Sequence, residues 1–437
     1  MAVGEDTVTR LANDAHVVPW TARLHAPSAS ALYVHLPFCV RKCAYCDFAS
    51  WETPRGDEAM SRYVDALCSQ LKEARDAGLL DACETAYVGG GTPTMLGTAD
   101  LSRLVRTMRD VAPYLRELTC EANPDSLDDG VLRTLAEAGV TRLSIGVQSL
   151  QDGELAALGR LHDAQKAEQR VAAAVASGLD VSLDLMCATP LQTDANWADT
   201  LRRAIDLGAG HISVYPLQIE EGTPLAVRLG DDDPDWNDPT VQARRMEMAE
   251  ELLTAAGLAR YEVASYARIG KACRHNQAYW TGLPYLGVGA AASSMLTAEG
   301  YEELRRRWGR LPRRPDDAAR VRLTISSART EVAQHGDLAS LDADVEFLTE
   351  SQAAAEDLML AMRMARGADP ALLLHAQHAL GTDAVDEAIA WCLERKLASW
   401  QGERLAPTHE GWLLGNELYG AMWDLADGEP TSAQTTE

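Results

Sequence analysis

The chain has 437 residues, a formal net charge of −25, 46% hydrophobic residues and 24% charged residues. That length holds two or more domains with ample cores, and the composition is that of an ordinary globular protein. A surface this acidic repels phosphate backbones, so nucleic acid is excluded as a natural partner. No uninterrupted apolar run approaches the ~20 residues that a membrane span needs. Residues 1–19 lack a basic start followed by an apolar block, so no secretory signal is expected. The nine cysteines are scattered and odd in number. They point to a reducing cytoplasm with metal-binding or free thiols, not to a disulfide framework.

Residues 1–30 read as an N-terminal lead. From Ala31 onward, short apolar strands alternate with amphipathic helical stretches. Strands are predicted at Leu32–Leu36, Glu84–Val88, Glu117–Glu121, Arg142–Val147, Val181–Met186 and His211–Leu217, with a further candidate at Arg260–Tyr266. Helices are predicted near Glu58–Ala77, Ala99–Val111, Asp128–Ala138, Ala164–Ser177, Trp197–Leu207 and Val241–Ala256. Gly78, Gly139, Gly178, Gly208 and Gly257 supply stops. This alternation predicts an α/β fold in which a parallel sheet has its helices outside it, a partial (β/α)6 barrel over residues 31–300.

Residues 301–344 read as a connecting segment with one dense basic stretch, Arg305–Arg314. That stretch is either a solvated arm or a clamp for ligand carboxylates. From residue 345 to 427 the texture changes. Thr349-Glu-Ser-Gln352 is a capping box that opens a helix stopped by Gly367. Asp369-Pro370 opens a second helix, and a third runs from Asp383 to Lys396. Two short strands about Gln401-Gly402 and a helix after Pro407 complete a winged-helix-like α+β domain. From Val345 to Pro430 there are 5 basic and 15 acidic residues, net −10. A DNA-reading wing needs the opposite sign, so this module is expected to pack on the barrel or dock a protein. Residues 428–437 read as a polar tail.

The chemistry concentrates after the first strand, in Cys39-Val-Arg-Lys-Cys43-Ala-Tyr-Cys46. A loop this tight can aim three thiolates at one inorganic centre. Structural zinc and iron–sulfur clusters favour shells of four ligands, and the run supplies no fourth thiol because Asp47 and Phe48 come next. A cluster with one iron left for a non-protein ligand fits that count, and zinc with a distant fourth ligand is the alternative. Val88-Gly89-Gly90-Gly91-Thr92-Pro93 closes the second strand and can form a pocket floor or a plain strand-to-helix turn. Glu121, Gln148 and Asp184 lie at or near the ends of later strands, and Arg160 follows the fourth. Polar side chains converging from several strand ends are what a small-molecule site requires.

Together these strings resemble the radical S-adenosylmethionine (SAM) superfamily, and within it the oxygen-independent coproporphyrinogen III oxidase-like family. The resemblance rests on Tyr33-Val-His-Leu-Pro-Phe-Cys39, Cys43-Ala-Tyr-Cys46-Asp-Phe, Gly89-Gly-Gly-Thr-Pro93, Glu121-Ala-Asn-Pro124, Ser144-Ile-Gly-Val-Gln-Ser149, Leu158-Gly-Arg-Leu-His162 and Leu183-Asp-Leu-Met186. It implies a [4Fe-4S] cluster on Cys39, Cys43 and Cys46. It also implies an S-adenosylmethionine pocket lined by Tyr33, Tyr45, Gly90, Gly91 and Thr92. Glu121, Gln148, Arg160 and Asp184 match family positions around this or a second cofactor molecule. In the family, one-electron reduction then cleaves the sulfonium to a 5′-deoxyadenosyl radical.

Two branches differ near the cluster. The coproporphyrinogen dehydrogenase carries one more cysteine two places after the third, where this chain has Phe48. It also has a longer N-terminal lead. The haem chaperone branch reads Cys-Asp-Phe as this chain does. It shares Arg260-Tyr-Glu262 and Cys273-Arg-His-Asn-Gln-Ala-Tyr-Trp280. The latter is associated with haem in that branch, which makes His275 an axial-ligand candidate and Tyr279 its neighbour one turn on. The alternative for His275 is a structural hydrogen bond. The implied task is to bind haem as cargo and deliver it to acceptor haemoproteins, respiratory and membrane-associated ones among them. The enzymatic alternative is coproporphyrinogen III oxidation, and a non-catalytic scaffold is a third reading. The chain departs from the family at Ser293, where a histidine is expected, and at Cys187-Ala-Thr-Pro190, where Tyr-Gly-Leu-Pro is expected.

Overall fold

A computed structural model of the chain describes residues 28–230, 234–426 and 431–435. Most of the expected lead and part of the polar tail lie outside these residues. Six parallel strands run in chain order: β1 (Ala31–Leu36), β2 (Thr85–Gly90), β3 (Glu117–Ala122), β4 (Arg142–Gln148), β5 (Asp180–Cys187) and β6 (His211–Pro216). Each pairs in parallel with the next, as where Leu32 faces Ala86 and Leu143 faces Val181. The strands are nearly continuous apolar runs because helices cover their outer face.

Those helices form where local chemistry starts and stops them. In α1 (Glu58–Asp76) the Asp57 side chain accepts from the Ala59 N–H. In α2 (Thr98–Val111) the apolar stripe is Leu101, Leu104, Val105, Met108 and Val111, all buried. The Asp128 carboxylate caps α3 (Asp129–Ala138) through the Val131 N–H, and Gly139 ends it at φ +102°, a conformation that costs glycine nothing. Asp163 caps α4 (Ala164–Ala176) and Thr193 caps α5 (Asp194–Asp206), each through the N–H three residues on. The sixth, α6 (Pro239–Ala255), carries proline in its first turn.

The sheet does not close. Beyond β6 the chain adds two short antiparallel strands, β7 (Ala259–Arg260) and β8 (Ser265–Ala267), in place of one strand from 260 to 266. A short helix, α7 (Arg274–Trp280), leads into β9 (Tyr285–Val288), which lies parallel beside β1. The sheet then continues antiparallel through β10 (Ser293–Thr297), β11 (Ala318–Ile325) and β12 (Ala343–Thr349). Within residues 301–344, 318–325 and 343–344 are thus strand, and 301–307 finish a helix begun at Ala298. The strand signal was hidden by Arg320 and Arg322, alternate residues on β11 whose charges are neutralised by Glu346, Glu356 and Asp357. The basic stretch before β11 resolves to the solvated-arm reading. Arg305 pairs with Glu302 at 3.0 Å, Arg306 with Glu303, and Arg310 with Asp342.

Beyond β12, the helices α8 (Glu350–Ala361), α9 (Pro370–Leu380) and α10 (Thr382–Glu394) precede the hairpin β13 (Ala398–Gln401) with β14 (Arg404–Pro407). Two further helices follow. This unit has its own apolar core, which includes Leu358, Met362, Leu372, Ile389, Leu405 and Met422. It joins the barrel through Arg363, whose guanidinium lies 5.2 Å from the Trp280 ring and 4.5 Å from that of Tyr419. The expected polar tail contributes β15 (Thr431–Gln434), which pairs with β12. No helix among the described residues is long and apolar enough to cross a membrane.

Candidate functional site

The three thiols sit in the loop after β1, all partly buried and none in a disulfide. Backbone bonds fix that loop on both sides. The Thr92 N–H donates to the Phe38 carbonyl at 2.7 Å, Thr53 N–H to Cys39 O at 2.8 Å, and Ala44 N–H to Leu158 O at 3.0 Å. Arg41 adds a bond to the Gly159 carbonyl at 2.8 Å. The segment 158–160 is thus strapped to the cysteine loop from across the barrel mouth. Burial pushes the thiols of Cys39 and Cys46 above their ordinary pKa. Arg160 donates to Cys43 Sγ at 3.3 Å.

The glycine run is not an open cradle. A Cβ at Gly91 would lie 2.5 Å from the Phe38 carbonyl oxygen, and one at Gly90 would meet the His35 ring. The glycines let β2 and the cysteine loop approach each other, which holds Cys39 next to Thr92. The Gly90 N–H is used by the protein itself, donating to Glu121 Oε2 at 3.0 Å. His35 in turn receives Tyr33 at 2.9 Å and bonds the Ala49 carbonyl at 2.8 Å, which anchors the far end of the loop.

Two cavities meet at this loop. The more polar one, of about 380 Å³, lies inside the barrel, with Tyr45, Cys46, Glu121, Gln148 and Asp184 in its wall. Gln148 stands at a bulge of β4 with φ +66°, a strained backbone that turns its side chain from the strand direction. Glu121 accepts from Tyr87 at 2.9 Å as well as from Gly90, and Ser144 donates to Asp184 at 3.0 Å. Burial, then the neighbouring carboxylate charge, lifts Glu121 to about 7 despite the Tyr87 bond; burial lifts Asp184 to about 6. Both are held near the neutral–anionic boundary, ready to be ionised by a cationic donor.

The second cavity, about 560 Å³, lies between the β9–β11 side of the sheet and α8. Tyr33, Tyr279, Trp280 and Tyr285 give it aromatic walls, with Met295 and Leu360 beside them and Arg320 and Arg322 at its polar edge. Gly90 and Glu121 also border it. Phe48, 62% exposed, lines both cavities and forms part of their partition.

The sequence-predicted residues therefore divide. Cys46, Tyr45, Gln148 and Asp184 face the polar cavity, Tyr33, Gly90 and Tyr279 the aromatic one, and Glu121 both. Gly91, Thr92 and Arg160 brace the cysteine loop. His275 lines neither cavity. It is 1% exposed, its Nδ1 is bonded to Thr85 at 3.1 Å and its Nε2 to Tyr279 at 3.0 Å, and its ring stacks on Tyr87. Burial holds its pKa down at about 3. Both nitrogens are thus engaged in structural hydrogen bonds, and an iron at His275 would have to displace Tyr279 or Thr85. Ser293, where the family has histidine, faces the aromatic cavity and bonds Thr324 at 2.8 Å. Cys187 and Ala188 are fully buried and line neither cavity. Sequence reasoning missed Asn123 and Phe48 as site residues. The signal for Asn123 was its place two residues after Glu121, at the same strand end.

The donor set fits an iron–sulfur cluster. Among the described residues no three His, Cys, Asp or Glu side chains are gathered tightly enough for a single metal ion. Three thiols on one loop suit a cube whose irons are each bound by one thiolate.

Comparison with known proteins agrees. The family model described as the radical SAM superfamily matches residues 33–204. The chain is 34% identical over 394 residues to the heme chaperone HemW of Mycobacterium tuberculosis, spanning 89% of this chain and 93% of that protein. It is 37% identical over 291 residues to the Escherichia coli heme chaperone HemW, spanning 65% and 74% respectively. Among solved structures, the E. coli coproporphyrinogen III oxidase HemN matches the fold with a TM-score of 0.72 at 21% identity, over 96% of this chain and 93% of HemN. Likeness along nine-tenths of the M. tuberculosis protein assigns this chain to the HemW family of the radical SAM superfamily.

Proposed function

We propose that this protein binds haem in the aromatic cavity and hands it to acceptor haemoproteins, respiratory and membrane-associated ones included. Cluster and cofactor would occupy the neighbouring polar cavity. Cys39, Cys43 and Cys46 would each hold one iron of a [4Fe-4S] cluster, leaving the fourth to the amino and carboxylate groups of S-adenosylmethionine. When bound, that pair supplies one-electron chemistry at the sulfonium. The chain's own part is to orient and shield. Glu121 and Asp184 accept from a cationic or hydroxyl-bearing ligand, Gln148 offers an amide, and Tyr45 closes the wall beside Cys46. The nine unpaired cysteines suit a reducing cytoplasm.

The observation that carries the haem reading is the pairing of unlike cavities across Phe48. A flat, largely apolar macrocycle gains most from stacking on aromatic walls, whereas a charged nucleoside needs hydrogen-bonding groups. The rival, decarboxylation of coproporphyrinogen III, lacks the additional cysteine because position 48 is phenylalanine. An anaerobic assay separates the two. Reconstituted protein given coproporphyrinogen III, S-adenosylmethionine and reductant should form no protoporphyrinogen, while a haem titration should saturate near one equivalent. Turnover in the first assay, or no uptake in the second, would overturn this function.

A further inference from the structure

Resting on the reading that Cys39, Cys43 and Cys46 hold a four-iron cluster, we propose that Arg160, Asn123 and Thr92 form a directed hydrogen-bond strap between two cluster thiolates that raises the cluster's reduction potential. Arg160 Nη1 lies 3.3 Å from Cys43 Sγ. Its Nη2 donates to Asn123 Oδ1 and to the Gly146 carbonyl, both at 2.6 Å. Asn123 Nδ2 donates to Thr92 Oγ1 at 2.8 Å, and Thr92 Oγ1 lies 3.7 Å from Cys39 Sγ.

The direction of this strap is forced. A guanidinium has only donors, so the atom of Asn123 that faces Arg160 must be the carbonyl oxygen, and the amide NH2 must point the other way. Thr92 then accepts from Asn123 and keeps its own proton for another partner. A thiolate can only accept, so that proton belongs to Cys39. Both ends of the strap therefore donate to sulfur, one end carrying a full positive charge.

A cluster that takes one electron from an external reductant such as dithionite gains one negative charge, spread partly over its thiolates. Hydrogen bonds and positive charge at those sulfurs favour the reduced form and move the potential up. The residues are spaced to act on two of the three thiolates. The third, Cys46, belongs to the wall of the polar cavity. Bracing of the loop does not need the strap, because backbone bonds from Leu158 and Phe38 and the Arg41 bond already hold it.

The test is a redox titration of anaerobically reconstituted full-length protein without added S-adenosylmethionine, followed by the electron paramagnetic resonance of the reduced cluster. Iron and sulfide are counted in each sample. Arg160→Gln, Thr92→Val and Asn123→Ala should keep wild-type iron and titrate at more negative potential, with the largest shift in Arg160→Gln. Arg160→Lys should recover part of it. If wild type itself holds no four-iron cluster, the underlying reading fails. Variants with a full cluster and an unchanged potential overturn the strap. Should Arg160→Gln fail to assemble a cluster, Thr92→Val decides alone, since it touches only the Cys39 end.

Discussion

The two cavities share Glu121 and Phe48 yet are built in opposite ways. The polar one is a product of parallel strands, whose ends present Glu121, Gln148 and Asp184 to one volume as βα units normally do. The aromatic one arises where the sheet turns antiparallel and the C-terminal helices close over it, so residues from β1, α7, β9, β10, β11 and α8 meet there. The first is lined chiefly by successive βα units and the cysteine loop, with Cys273 and Asn276 joining from the start of α7. The second depends on long-range assembly, held by a buried ionic knot. Arg320 bonds Glu356 at 3.1 Å and Asp357 at 2.9 and 2.8 Å. One cavity can therefore be damaged without the other.

The largest effect should come from the thiols. Cys43→Ser is expected to abolish the four-iron signal and leave under a tenth of wild-type iron, while far-ultraviolet circular dichroism is unchanged. Next is the ionic knot. Arg320→Ala removes the guanidinium shared by two buried carboxylates, Glu356 and Asp357, and should cost about 3–5 kcal/mol of stability, read as a lower denaturation midpoint, with haem uptake weakened as well. A stability like that of wild type would show that the knot does not hold the aromatic cavity together.

The polar cavity should reveal itself through pH. Glu121 binds its proton more tightly folded than unfolded, since its pKa rises from 4.5 to about 7. Folding is therefore penalised as pH climbs through that window, and the penalty is complete above it, up to about 3 kcal/mol. The ligand-free protein should melt at lower temperature at pH 8 than at pH 5.5, and Glu121→Gln should flatten the slope. A cationic ligand that ionises Glu121 should release protons on binding near pH 6.5, a release measurable in buffers of different ionisation enthalpy. The smallest effect on function is expected at His275. Replacing it with alanine should cost about 1–3 kcal/mol through lost buried hydrogen bonds. The Soret maximum and haem stoichiometry should stay as in wild type, and a changed axial-ligand spectrum would restore the histidine to the iron.

The barrel was legible because each of its strands is a short apolar run bounded by a helix start and a glycine stop, as at Asp128 and Gly139. The three-cysteine loop was legible because its spacing alone is rare. What stayed hidden were features whose meaning lies in tertiary partners. β11 carries two arginines that read as solvent-facing until Glu356 and Asp357 are placed opposite them. His275 sits in a motif that points to haem, but Thr85 from β2 and Tyr279 one turn on in the same helix occupy both nitrogens. The glycines after β2 looked like a ligand cradle, and only the path of the cysteine loop shows that Phe38 and His35 fill that space. Asn123 is one more polar residue in a loop until Arg160 meets it from across the barrel mouth.

Division of labour between the cavities is most directly tested at Ser293, whose side chain faces the aromatic cavity and does not border the polar one. Haem should be titrated against anaerobically reconstituted wild type and Ser293→Trp, with iron and sulfide assayed in the same samples. The indole should fill the aromatic space and weaken haem uptake at least tenfold while the cluster content holds at the wild-type level. Haem affinity equal to wild type in a variant that is folded and fully clustered would contradict the assignment of that cavity to the cargo.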